Sequence, residues 1–162
     1  MMELKEVGQL DFFFYGGMIK IEDQKDELLE SLEPVIKGLG FDLADLTHIK
    51  TRNALQVHCV IYSKNGISLN DCALVHKTVL PRIELLENTK DVNLQVSSPG
   101  TDRKIKKARE FVIFRGRSIK LFRGEEWIDA IIDDCDDKGV CFLINGNEEY
   151  VLFSEIIKAK LT

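Results

Sequence analysis

The sequence predicts an α+β protein of two small domains, an N-terminal α-β-β-α-β region followed by a C-terminal β-barrel. Three observations predict it. Across residues 22–97, apolar side chains recur at helical spacing in two stretches and at alternate positions in three others. The run Ser97-Ser98-Pro99-Gly100 then breaks the pattern, as a domain junction would. From Arg117 onward come short strand-like runs at close, even spacing, separated by Gly-containing turns.

The first helix is expected over Glu22–Leu39. Leu28, Leu32, Val35 and Leu39 form its core stripe, flanked by Leu29 and Ile36. Glu22, Asp23, Asp26 and Glu27 suit the positive end of its dipole, and Gly38 and Gly40 end it. Pro34 predicts a kink or a distorted turn. Phe41–Ile49 and Ala54–Tyr62 read as strands, the second alternating Leu55, Val57, Cys59 and Ile61 with more polar neighbours. Thr51-Arg52-Asn53 between them suits a hairpin turn. Ser68-Leu69-Asn70-Asp71 has capping-box form, so a second helix begins there. Its stripe is Cys72, Val75 or His76, Val79, Ile83 and Leu86, which makes His76 a satisfied, partly buried histidine rather than a catalytic one. Pro81 predicts a kink or a short break. Val92, Leu94 and Val96 make a third strand. Lys106–Phe114 forms a short helix ending before Gly116. The barrel strands are Arg117–Phe122, Trp127–Ile132, Val140–Ile144, Tyr150–Phe153 and Ile156–Leu161, with Asn145-Gly146 the sharpest hairpin signal.

Composition narrows the function classes. The chain has 162 residues, 44% hydrophobic and 30% charged, as globular proteins do. No apolar run approaches the ~18–20 residues that cross a bilayer. Phe12-Phe13-Phe14-Tyr15 is too short for a secretory core and lacks a basic flank, so a cytoplasmic protein with no membrane partner is expected. Cys59, Cys72, Cys135 and Cys141 show no C-x-x-C spacing, and His48, His58 and His76 add no ligand cluster; reduced, buried thiols and no metal are expected. Phosphate loop, dinucleotide fingerprint, nucleophile elbow, KH-type clamp and RRM signature are all missing. A hydrolase with a Cys–His pair therefore has no positive support. No catalytic residue, cofactor or small-molecule substrate is expected.

Charge is segregated. The formal net charge is −5. Residues 1–96 hold 10 basic and 15 acidic side chains, 97–123 hold 9 and 2, and 124–162 hold 3 and 10. The positive block is Arg103, Lys104, Lys106, Lys107, Arg109, Arg115, Arg117, Lys120 and Arg123. Nine cations opposed by Asp102 and Glu110 alone read as a phosphate-facing surface, against the blander reading of a solvated linker. Asp133, Asp134, Asp136 and Asp137 surround a later turn and suit either a basic protein or solvent.

Val96-Ser97-Ser98-Pro99-Gly100-Thr101-Asp102-Arg103, followed by Lys106-Lys107 and Glu110-Phe111, resembles the hallmark of the bacterial ribosome maturation factor RimP family. Leu32-Glu33-Pro34 with Gly38-Leu39-Gly40-Phe41 resembles that family's first helix and its exit. Ile67-Ser68-Leu69-Asn70-Asp71-Cys72 resembles the start of its second, and the ending fits its last strands. Thr101 and Lys104 depart from the usual Leu and Pro. The resemblance covers roughly residues 24–162. It implies domains at about 21–97 and 98–162, the latter an SH3-like, Sm-like barrel, after a non-family extension over 1–20. Met18 is then a natural start, and Met1–Gly17 a poorly docked extension or a mis-called start. The implied function is non-enzymatic: a protein that binds the immature 30S small ribosomal subunit, with its barrel associated with the basic small-subunit ribosomal protein twelve, and assists its maturation; the positive block is expected to meet 16S rRNA, and a monomer is the default. The alternative is an Sm-like or SH3-like module acting on non-ribosomal RNA. Candidate contacts are the turn Ser97, Ser98, Pro99 and Gly100, then Asp102, and the cations Arg103, Lys104, Lys106, Lys107, Arg109, Arg115 and Arg117. Asp102 is expected to cap the next turn, and Arg103 to anchor a phosphate or a carboxylate.

Overall fold

A computed structural model describes Ile19 and residues 26–162. The extension expected over 1–20 and the helix start expected at Glu22 lie outside the described residues, Ile19 apart. The described chain falls into two compact units, 24–99 and 100–162.

The first unit holds helix α1 (Glu27–Gly38), strands β1 (Asp42–Lys50) and β2 (Leu55–Tyr62), helix α2 (Leu69–Glu87) and strand β3 (Val92–Ser97). Asp26 caps α1 by accepting the Leu29 N–H at 3.1 Å. The fully buried stripe is Leu28, Leu32 and Ile36, in steps of four; Val35 and Leu39, expected on it, are only half-buried. Pro34 is exposed and the helix runs on through it. The end is a paired cap. Gly40 N donates to Lys37 O at 2.9 Å and Phe41 N to Ile36 O at 3.2 Å, with Gly40 at φ 96°, where a side chain would be strained.

β2 lies between its neighbours, antiparallel to β1 and parallel to β3. A parallel pair needs a long crossover, which α2 supplies. The Ser68 hydroxyl accepts the Asp71 N–H at 3.1 Å, and the Asp71 carboxylate accepts the Ser68 N–H at 2.8 Å. α2 continues through Pro81, so the expected break does not occur. Val75, Val79 and Ile83 are fully buried against Leu32, Ile36, Cys59 and Ile61; Leu86 is 47% exposed and outside that core. The His76 Nε2–H donates to the Leu94 carbonyl at 3.1 Å, the satisfied histidine the sequence suggests.

The second unit opens with α3 (Ala108–Ile113), shorter than expected. Strands β4 (Ser118–Arg123), β5 (Glu126–Cys135), β6 (Gly139–Ile144) and β7 (Asn147–Leu152), a short 3₁₀ turn (Phe153–Glu155) and β8 (Lys158–Leu161) follow. They form one antiparallel sheet in the order β7-β6-β5-β4-β8. The expected β-rich second unit is in place, and no closed barrel is seen among the described residues. The ladder has two ends, and no pairing joins β7 to β8 among the described residues. Residues 103–105 add to the β8 side: Ile105 N donates to Ala159 O at 2.8 Å, and Leu161 N to Arg103 O at 2.9 Å. Asn145 (φ 53°) and Gly146 (φ 81°) both take positive φ, which a tight β6–β7 hairpin requires. Gly139 is needed for space, since a Cβ there would lie 2.5 Å from the Val151 carbonyl oxygen. Phe111, Phe114, Phe142 and Phe153 are fully buried, and the Phe111 ring meets Phe142 edge-on at 6.0 Å.

Candidate functional site

Ser97 ends β3, and its hydroxyl lies 2.7 Å from His58 Nε2 on the adjacent strand, both half-buried. Ser98 is exposed and Pro99 half-buried. In the second unit, Arg103 N donates to Gly100 O at 3.2 Å and closes a tight turn.

Arg103 then turns inward. Its Nε donates at 2.9 Å to Oε1 of Glu110, whose side chain is 1% exposed. The other Glu110 oxygen accepts the backbone N–H groups of Lys106 and Lys107, each at 3.2 Å. Of the two anchors open to Arg103, this is the carboxylate. The capping expected of exposed Asp102 is carried out by Glu110, a residue given no role beyond its place in the motif. The Gly100–Arg103 turn is thus braced onto α3 through a buried ion pair.

The rest of the basic block divides. Arg115 pairs with Asp134 at 3.2 Å, Lys120 with Asp129 at 2.6 Å, and Arg123 with Glu149. The Arg123 bond holds the Glu149 carboxyl below its ordinary range and raises the guanidinium. Arg117 donates to the Thr162 carbonyl oxygen at 3.4 Å. Lys107, Arg109 and Arg117 are half-buried, whereas Lys104 and Lys106 stand exposed without an ion pair among the described residues. Three cations that looked free in the sequence, Arg115, Lys120 and Arg123, are therefore neutralised inside their own unit, because the fold brings the acidic 124–162 segment beside them.

The acidic turn also divides. One Asp136 oxygen accepts Lys138 N, Gly139 N and the Tyr150 hydroxyl, each at 2.8 Å. Those donors, the Lys138 amide first, lower the Asp136 carboxyl, and the bond to Asp136 pushes Tyr150 up to about 12. Asp136 is thus a structural acceptor. Asp133 and Asp137 are exposed.

Of the cysteines Cys59 alone is buried, and burial pushes its thiol up to about 12; the other three are partly exposed. Among the described residues no group of three or more His, Cys, Asp or Glu side chains could hold a metal ion. No described helix is long and apolar enough to cross a membrane.

The sequence reasoning missed a cluster on the five-stranded sheet. Lys158 Nζ sits 5.2 Å from the Phe122 ring centre and Lys160 Nζ 4.7 Å from that of Trp127, with the two rings 5.2 Å apart. The alternation Lys158-Ala159-Lys160-Leu161 was the available signal. A segment charge count hides it, because these lysines lie in a stretch whose net charge is negative.

The model of the RimP N-terminal domain matches residues 31–102, which take in most of the first unit and the turn through Asp102. The ribosome maturation factor RimP of Borrelia turicatae (strain 91E135) is 31% identical over 145 residues, 90% of this chain and 100% of that protein. That of Borreliella burgdorferi (strain ZS7) is 32% identical over 146 residues, 89% of this chain and 99% of the relative. The chain belongs to the ribosome maturation factor RimP family.

Proposed function

We propose that the protein assists maturation of the small ribosomal subunit by binding an assembly intermediate of the 30S particle. The observation that carries this reading is kinship with ribosome maturation factors over 90% of the chain. The mechanism is selective binding. A factor that holds one intermediate more tightly than its competitors shifts the population toward it, with no covalent step. The two units act as two domains, the second in the SH3-like class, in a cytoplasmic monomer. Lys104 and Lys106, exposed beside the braced turn, meet 16S rRNA phosphates. Asp133 and Asp137, exposed around the acidic turn, meet the basic small-subunit ribosomal protein twelve.

Co-sedimentation on a sucrose gradient tests this. The protein is expected with small-subunit precursors and away from mature subunits. If it stays at the top of the gradient at low salt, the reading fails. The charge-reversal test must spare Arg103, since reversing it strands the buried Glu110 carboxylate. Lys104→Glu with Lys106→Glu is expected to weaken precursor binding and to reduce its salt slope by about 1.4, two lost phosphate contacts at roughly 0.7 each. An unchanged slope removes these lysines from the rRNA surface.

A further inference from the structure

We propose that the outer face of β4, β5 and β8 is a stacking platform for unpaired RNA. The sheet's alternation builds it. Ile119, Leu121, Ala130, Ile132, Ala159 and Leu161 point to the core and are buried. Their neighbours in sequence therefore point outward. Register sets those neighbours in two rows. Trp127, Phe122 and Lys158 are paired across three strands. Asp129, Lys120 and Lys160 are paired in the next row, and a bridge from Lys104 extends it.

The chemistry of the rows fits a nucleotide chain. Lys158 and Lys160 are held over aromatic rings at 5.2 and 4.7 Å, so their ammonium groups stay beside π faces instead of dispersing into water. Trp127 is 36% exposed, large for a Trp with no partner beyond this cluster among the described residues. A base offers a flat π surface to the ring, and its phosphate offers the displaced ammonium a counter-charge. Residues 100–162 carry 12 basic and 12 acidic side chains, yet these two rows hold four lysines against the one carboxylate of Asp129. A second copy of the chain would bring like charge to this face. An acidic peptide would use the lysines and leave the rings idle. Unpaired RNA uses both. That the RNA is ribosomal rests on the function proposed above; the platform itself does not.

Trp127 is the single tryptophan of the chain, so its fluorescence reports this face alone. The experiment titrates the full chain with a dodecamer of uridylate at low salt, following Trp quenching and, in parallel, the anisotropy of the fluorescein-labelled oligomer. Saturable quenching is expected. Lys158→Glu with Lys160→Glu is expected to weaken binding at least tenfold with an unchanged melting curve. Trp127→Leu is expected to weaken it about tenfold, and Trp127→Phe to keep affinity within about threefold. Should Trp127→Leu fail to fold, the lysine pair decides the question. Absence of quenching in the native protein overturns the platform, as does wild-type affinity in the lysine variant. An oligoglutamate that quenches Trp127 and displaces the RNA with equal affinity also overturns it, in favour of an acidic protein partner. The gradient separates the two readings. Co-sedimentation without oligomer binding sinks the platform alone, whereas oligomer binding without co-sedimentation sinks the maturation role and leaves the platform standing.

Discussion

Glu110 shows how far a charge count departs from the charges a surface presents. In the sequence it is one of two acids interrupting a basic run; in the fold it is 1% exposed and holds the Arg103 side chain and two backbone amides. Removing half of a buried ion pair strands the other half. Glu110→Ala is expected to cost about 3 kcal/mol in urea unfolding, and a midpoint equal to that of the parent would contradict this reading. Tyr150 makes a second point. Its hydroxyl donates to Asp136, which favours the neutral phenol and moves its titration from near 10 to about 12. A raised phenol contributes fully below its ordinary range, and the contribution is lost as pH climbs toward 12. The lowered Asp136 contributes above the carboxylate range and loses this as pH falls. In absorbance at 295 nm, the difference between the native protein and Tyr150→Phe is expected to titrate near pH 12; a step near pH 10 would refute the bond. Neither feature was legible in the sequence, because nothing local brings residue 150 to residue 136 or marks residue 110 as buried.

At the scale of elements, the sequence was most legible where the signal is local. The Ser68 capping box, the Gly40 stop and the Asn145-Gly146 hairpin each follow from a few neighbouring residues, and each is in place. Prolines misled. Pro34 and Pro81 lie inside continuous helices with their rings at exposed positions, so packing against the sheet overrides a local preference. Pro81 still leaves the Lys77 carbonyl without its helical N–H partner. Because Pro81 is exposed, replacing it loses no buried area. Pro81→Ala is expected to stabilise the first unit by about 1 kcal/mol, after the extra entropy of the unfolded chain is allowed for. Thermal unfolding checks the sign, and a lowered midpoint would mean that the ring itself contributes packing. The parallel pairing of β3 with β2 was open in the sequence, since apolar alternation fixes a strand's face and leaves its partner and direction undetermined.

For the whole molecule, the segment charges foretold a two-signed surface, and sheet pairing redistributed it. Arg115, Lys120 and Arg123 are neutralised by acids that lie 9 to 26 residues further along the chain. What remains is smaller and differently placed: Lys104 and Lys106, exposed beside the braced turn, and exposed Lys158 with half-buried Lys160 on a strand that lies in the net-acidic segment. The open ladder of the second unit has a bearing on solubility as well. An unpaired strand edge recruits foreign strands and seeds aggregates. Residues 103–105 cover one edge by bonding to β8. Among the described residues β7 is left as the other, and it exposes Asn147, Glu148 and Glu149 in succession. Glu149 is bound to Arg123, but the Glu148 carboxylate at the rim repels a second copy of the same edge and so guards against strand-to-strand polymerisation, and salt, which screens that repulsion, is the condition under which the guard weakens.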